Sequence, residues 1–373
     1  MKKRVIVKIG SSSLAKTNGG LSEIKLSKHV AAITRLVRSG HQVILISSGA
    51  VAAGFRALGY KTRPETIKGK QAAAAVGQGK LLHAYEEAFD RYDIVTAQLL
   101  LTRNVFSDIN QYSNVFHTLE ELLKRSVIPI INENDSVSVD ELTFGDNDML
   151  AALVSGLLNA DLLVLFTDMD GIYTANPSCH PAAEKISYIP KITDSHLRKM
   201  DHSSGSKWGT GGIKSKLLAA KTALDLGVPV FIGRNTGEGI LETIVVGKGE
   251  GTYIGKEGLV SWRKPKQWIA YHSDISGQIT IDKGAEQAIV HGRKSLLPAG
   301  ITDIAGDFSP GNVIEILNQD RLIIGKGQVN YSFSSLDKVA GMSSTQAMEV
   351  TGSKHPEVVH RDKMVIEKGI LNE

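Results

Sequence analysis

Apolar residues recur at two spacings along the first two-thirds of the chain. Val5–Ile9 is a β-branched run closed by Gly10. Val43–Ile46, Ile94–Leu99, Val127–Ile131, Leu162–Phe166 and Val228–Ile232 are further short apolar runs of strand length. Between them lie longer stretches with helical spacing. Leu26, Val30, Ile33 and Val37 form one stripe, with Ser22 placed to cap it and Gly40 to stop it. Residues 70–90 are Ala-rich and read as a helix despite Gly77 and Gly79. Val115–Arg125, the stripe Leu150, Leu153, Val154, Leu157 and Leu158, and residues 215–226 before Gly227 add three more. Strands alternating with helices predict an α/β fold, a mostly parallel sheet with helices on both faces. Ligands of such sheets bind at the carboxyl ends of the strands.

The pattern changes near residue 256. Residues 256–273 carry Lys256, Arg263, Lys264 and Lys266 against Glu257, with Trp262 and Trp268, and read as a basic linker. Beyond it the runs are short and β-rich: Gln278–Ile281, Ile289–Val290, Val313–Leu317 and Leu322–Ile324, separated by Gly and Pro turns. The expected domains are therefore 1–255 (α/β), 256–273 (linker), 274–355 (small and mostly β) and 356–373 (a short tail). No internal repeat stands out.

Composition narrows the class. A chain of 373 residues suits two or three domains. A charged fraction of 22% excludes bulk disorder. No apolar run reaches the roughly 18 residues needed to cross a bilayer, and the opening Met-Lys-Lys-Arg-Val-Ile-Val-Lys is too short in apolar length for a signal peptide. One cysteine, Cys179, leaves no intrachain disulfide and no multi-cysteine metal site, so a cytoplasmic protein is expected. A net charge of +4 selects no particular partner.

Candidate chemistry gathers in loops after the expected strands. Gly10-Ser11-Ser12-Ser13, Ser47-Ser48-Gly49-Ala50 and Gly209-Thr210-Gly211-Gly212-Ile213-Lys214-Ser215-Lys216 are rich in glycine and hydroxyls. Backbone N–H groups of such loops attract anions; each loop alone also reads as a tight βα turn. The P-loop run G-x-x-x-x-G-K-[ST] and the dinucleotide fingerprint are both missing. Lys8 ends the first apolar strand and Lys216 opens a helix, where cations are disfavoured unless an anion lies near. Neither lysine is expected to belong to the core. Asn132-Glu133-Asn134-Asp135 follows one strand, Gly145-Asp146-Asn147-Asp148 precedes a helix, and Thr167-Asp168-Met169-Asp170-Gly171 follows another strand. N-capping and turn closure are the plain alternatives for these runs. The histidines show no metal-ligand spacing, and Ser47-Ser48-Gly49 lacks the G-x-S-x-G frame of a serine hydrolase.

Taken together, these runs resemble the glutamate 5-kinases of the amino-acid-kinase family. The resemblance rests on Val7-Lys8-Ile9-Gly10-Ser11-Ser12, Ser47–Gly54, Gln71–Gln78, Ile131–Asp135, Phe144–Asp148, Leu165–Asp168 and Gly209–Lys216. Gly277–Asp282, Ser295–Ile301 and Gly306–Gly311 resemble a PUA domain. Ile213 departs from the family, which often has Met there. The resemblance implies an amino-acid-kinase fold and ATP-dependent phosphorylation of the side-chain carboxylate of L-glutamate. It implies Lys8 and Lys216 as clamps on the transferring phosphoryl group and Asp148 as the residue that holds them. Ser48, Gly49, Asp135 and Asn147 would take glutamate. Lys8, Thr167, Asp168, Thr210, Gly211, Gly212, Ile213, Lys214, Ser215 and Lys216 would take ATP. Mg²⁺ would ride on the ATP phosphates, with no protein ligand. A homo-oligomer, proline as a feedback inhibitor and no membrane partner are further expectations.

The alternatives are a related kinase of the same fold and an RNA-binding protein acting through the PUA-like domain. Residues 274–355 carry seven Lys and Arg against nine Asp and Glu, net −2, where strong RNA binding favours a basic footprint. RNA is thus a weakly supported partner.

Overall fold

A computed structural model describes residues 2–16, 19–102, 104–137, 147–175, 177, 180, 182–193, 212–255, 269, 273 and 275–366. The chain divides into two compact units, residues 1–105 with 113–261 and residues 262–373 with 106–112. The division falls inside the expected linker, which lies almost wholly outside the described residues.

The first unit carries strands β1 (Arg4–Ile9), β2 (Gln42–Ser47), β3 (Thr96–Leu101), β4 (Ile128–Glu133), β5 (Leu162–Phe166), β6 (Ile172–Tyr173), β7 (Lys185–Ile186), β8 (Tyr188–Ile189), β9 (Val230–Gly233) and β10 (Gly251–Ile254). The helices up to residue 245 are α1 (Glu23–Arg38), α2 (Ala50–Gly54), α3 (Ile67–Asp90), α4 (Asn104–Ser107), α5 (Ile109–Lys124), α6 (Asn147–Leu157), α7 (Ile213–Asp225) and α8 (Ile240–Val245), with the end of α4 and the start of α5 grouped in the second unit. Eight strands form one sheet in the order β3-β4-β2-β1-β5-β9-β10-β8. All its neighbours run parallel except β9 and β10. The order reverses around β1, which pairs with β2 on one side and β5 on the other. That reversal is where an open parallel sheet leaves a crevice for a ligand.

Local signals explain most elements. The Ser22 hydroxyl accepts from the Lys25 amide to cap α1, whose apolar stripe lies in the core beneath β1 and β2. In β1, Val5, Val7 and Ile9 point into that core, so Ile6 and Lys8 face the other side of the sheet. The central strands β1, β4 and β5 are almost wholly buried.

The second unit has a five-stranded sheet, β12-β11-β13-β14-β15, built from β11 (Ile275–Ile281), β12 (Ile301–Gly306), β13 (Val313–Leu317), β14 (Ile323–Val329) and β15 (Val359–Ile366). Helices α9 (Lys283–Val290), α10 (Phe333–Asp337) and α11 (Ser344–Thr351) accompany it. Two expectations are corrected here. Ile289 and Val290 are the buried end of α9, capped by the Asp282 carboxylate, and not part of a strand. Residues 359–366, expected in a tail, pair antiparallel with β14, and Val359 and Met364 join the core.

Candidate active site

Register in the sheet sets the site. Lys8 lies level with Ile46 of β2 and Leu165 of β5, and Ile9 level with Ser47 and Phe166. One residue further on, Gly10, Ser48 and Thr167 stand together at the carboxyl ends, with the Ser48 amide donating to the Ile9 carbonyl at 3.0 Å. Gly49 follows with φ +117°, a left-handed conformation that favours glycine and turns the chain into α2.

Lys8 and Lys216 come together on one carboxylate. Lys8 Nζ is 2.6 Å from Asp148 Oδ1, and Lys216 Nζ is 3.0 Å from Asp148 Oδ2. Asp148 stands in the first turn of α6 and Lys216 in the first turn of α7, two helices that pack together on the face of the sheet that Lys8 enters. The Ser215 hydroxyl lies 3.2 Å from Asp148 Oδ2 and 3.0 Å from the Gly212 carbonyl. All three charged groups are buried, at 5%, 0% and 7% exposure for Lys8, Asp148 and Lys216. The expectation that both lysines stay out of the core is therefore wrong. Each side chain passes through the sheet-helix interface to reach a carboxylate distant in sequence.

The electrostatics follow from that burial. Burial pushes the Lys8 ammonium down, and the nearby Lys216 adds to this, while Asp148 works the other way. Burial alone would raise the Asp148 carboxyl, but Lys8 and Lys216 overcome it and hold the group at about 2. Two ammonium groups thus meet on one buried carboxylate, fixed donors of the kind that stabilise negative charge developing on a bound group.

A second network joins Ser48, Asn132 and Asn147. Asn147 Nδ2 donates to Ser48 Oγ at 3.0 Å and to Asn132 Oδ1 at 3.0 Å. Asn132 Nδ2 donates to Gln78 Oε1 at 2.7 Å. Beside it, the Ser47 hydroxyl donates to the Ser48 carbonyl at 3.1 Å and so takes its 2.9 Å hydrogen bond from Tyr85. The site assignments from sequence omitted Asn132, Gln78, Ser47 and Tyr85. Ser47, Asn132 and Gln78 do lie in the runs singled out from the sequence, and Gln78 and Tyr85 stand seven apart on α3, on one helix face.

Asp135 lies half-buried in the turn after β4, and its charge supports the Arg63 guanidinium, which burial pushes down. Thr167 and Asp168 sit just beyond β5. The Thr167 amide donates to the Gly233 carbonyl of β9, its hydroxyl donates to Asp168 Oδ1 at 3.0 Å, and Arg234 Nε donates to the Asp168 carbonyl. Gly212 caps α7, and Ile213 and Lys214 occupy its first turn. Thr210 and Gly211 lie outside the described residues, as does Cys179. Among the described residues no helix is long and apolar enough to cross a membrane.

The amino acid kinase family matches residues 3–234, and the PUA domain matches residues 277–351. Glutamate 5-kinase of Bacillus cereus (strain G9842) is 56% identical over 365 residues, 98% of this chain and 99% of that protein. Glutamate 5-kinase of Halalkalibacterium halodurans is 53% identical over 372 residues, 100% of this chain and 99% of that protein. Among solved structures, carbamate kinase from Giardia lamblia bound to AMP-PNP overlaps 69% of this chain and 99% of its own, at 15% identity and a TM-score of 0.49. Full-length identity above one half, with both domain families in order, places this chain among the glutamate 5-kinases of the amino acid kinase family.

Proposed function

We propose that this chain moves the γ-phosphoryl group of ATP onto the side-chain carboxylate of L-glutamate, giving γ-glutamyl phosphate and ADP, the step that opens proline biosynthesis. The observation that carries the reading is the buried Lys8–Asp148–Lys216 cluster, two ammonium groups held on one carboxylate. Phosphoryl transfer needs in-line placement and neutralisation of charge on the transferring group, with little covalent work by the protein. Lys8, on the central strand, and Lys216, at the start of α7, supply that neutralisation, and Asp148 fixes both ammonium groups in place. The nucleophile is a carboxylate, already ionised at neutral pH, so the reaction requires no general base.

Thr167, Asp168 and the start of α7 from Gly212 to Lys216, with Thr210 and Gly211 before it, form the nucleotide side. Ser48, Gly49, Asp135 and Asn147 form the glutamate side. No residue is assigned to magnesium. When bound with the triphosphate, that ion neutralises phosphate charge and keeps several waters. The kinase family spans most of the chain, so the reading of the whole protein as an RNA binder is set aside.

The reaction has a direct test. Hydroxylamine traps an acyl phosphate as a hydroxamate, which is expected only when L-glutamate, MgATP and hydroxylamine are all present. Equal yield from N-acetylglutamate or aspartate would overturn the assignment.

The glutamate side has its own. Asp135 supplies an anion for the α-ammonium group of the substrate. Removing one partner of a desolvated charged pair costs roughly 2–5 kcal/mol. Asp135→Ala should then raise the KM for glutamate about 30-fold or more, with a much smaller change for ATP. Arg63 also leans on Asp135, so a melting curve accompanies the kinetics. A stable variant with an unchanged glutamate KM would remove Asp135 from the pocket.

A further inference from the structure

Helix α3 reaches the acceptor side of the site through side chains on one face. Gln78 contacts Asn132 at the end of β4, and Tyr85, two turns later, contacts Ser47 at the end of β2. The helix comes this close because Gly77 packs directly on α2, where a Cβ would collide with the Ala50 carbonyl and stand 2.7 Å from the Gly54 nitrogen.

The polarity of the amide chain is fixed by a group that cannot flip. The backbone N–H of Glu133 can only donate, and it lies 2.9 Å from Asn132 Oδ1. Asn132 must therefore turn its Oδ1 toward Glu133 and Asn147, and its Nδ2 toward α3. At 1% exposure, Asn132 has no access to water, so that Nδ2 needs an acceptor, and Gln78 Oε1 supplies it at 2.7 Å. Asn147 then meets Asn132 with its Nδ2, and the same Nδ2 meets Ser48 Oγ. Asn147 Oδ1 lies 3.3 Å from the same Glu133 N–H, consistent with that orientation. Ser48 accepts from Asn147, which leaves its own hydrogen free to donate outward, toward an acidic substrate.

We propose that Gln78 is a positioning residue for the acceptor pocket, acting through Asn132 and Asn147 to present the Ser48 hydroxyl as a donor to the substrate carboxylate. The inference rests on the reading of Ser48 and Asn147 as glutamate-side groups. Gln78 touches no reacting atom. Its contribution is to supply the one acceptor that keeps the Asn132 amide in the orientation Asn147 needs.

The test uses the full-length protein with Gln78→Met, which keeps length and helix preference but removes the acceptor, and Gln78→Glu, which keeps an acceptor. Losing the hydrogen bond should raise the glutamate KM of Gln78→Met about five- to tenfold. The KM for ATP should stay within about twofold. Gln78→Glu should fall closer to wild type than Gln78→Met. In an Asn147→Ala background, Gln78→Met should add less than about twofold, because residues in one network are not additive. A glutamate KM unmoved by Gln78→Met overturns the proposal. So does a parallel rise for both substrates, a Gln78→Glu variant as impaired as Gln78→Met, or full additivity with Asn147→Ala. If Asn147→Ala itself leaves the glutamate KM unchanged, the reading of the pocket fails and Gln78 falls with it. If Asn147→Ala raises the KM and Gln78→Met does not, only the role of Gln78 fails.

Discussion

Asp148→Asn is expected to lower kcat by about 10²-fold or more, the scale of losing one preorganised charged group at a reacting centre. The carboxylate touches no phosphate in this reading. Its removal acts through the two ammonium groups, 2.6 and 3.0 Å away, that it holds together. Asparagine keeps the shape and one acceptor but leaves two buried like charges facing each other. Breaking a buried ionic cluster by removing one partner costs about 3–5 kcal/mol, so the variant should also melt earlier. A second readout separates mechanism from packing. Burial already pushes Lys8 down, and Asp148 opposes this. Without the carboxylate, that ammonium loses its proton at lower pH, and activity should fall as pH rises, beginning at lower pH than in the wild type.

The acid side behaves in the opposite sense. The Asp148 carboxyl sits at about 2 in the folded chain, below its ordinary 3.8. Its stabilising contribution is complete above pH 3.8 and fades as pH falls through 2, a limb the asparagine variant lacks. Rates across pH, beside an unfolding curve, check both points. A variant that melts early yet keeps kcat and its pH profile would make the cluster a structural feature only.

Gly77→Ala and Gly79→Ala should differ in sign although two residues apart on α3. A Cβ on Gly77 meets the Ala50 carbonyl and the Gly54 backbone. These are backbone atoms of a packed helix, so no rotamer change makes room, and α2 and α3 must separate. The cost should exceed about 3 kcal/mol, at the upper end for overpacking. Gly79 has nothing within 4 Å of its would-be Cβ and sits exposed in mid-helix. Alanine there should stabilise by roughly 0.5–1 kcal/mol through helix propensity and the entropy of the unfolded chain. Urea unfolding of both variants decides it. A Gly77→Ala protein as stable as wild type would mean that the helices do not pack as closely as described.

These elements show what the sequence makes legible. The strand-helix alternation gave the parallel sheet because its runs are long and its caps ordinary, as with Ser22 on α1. Lys8, Asp148 and Lys216 stood in recognisable runs, but their burial did not show, since no local pattern says that partners so far apart in sequence share one dry space. Gln78 stood in a recognisable run, but its contact with Asn132 and that of Tyr85 with Ser47 are long-range and left no local trace in an Ala-rich helix. The strand Val359–Ile366 was masked by His360, Arg361, Asp362 and Lys363, which break the apolar alternation on the edge of its sheet. Ile289 and Val290 were too short a run to tell a strand from the end of a helix.

The position of β1 has a consequence for how acceptor preference could change. In the proposed reading, the glutamate-side groups Ser48 and Asp135 follow β2 and β4 on one wing of the sheet, and Thr167 and Asp168 of the nucleotide side follow β5 on the other. Lys8, on the strand between them, is the seam. The wings are stitched across it through Asp148, which belongs by chain to the first and by its ion pair with Lys216 to the second. A redesigned acceptor wing could therefore recruit a different carboxylic acid without retooling the phosphoryl donor, provided that this stitch stays intact.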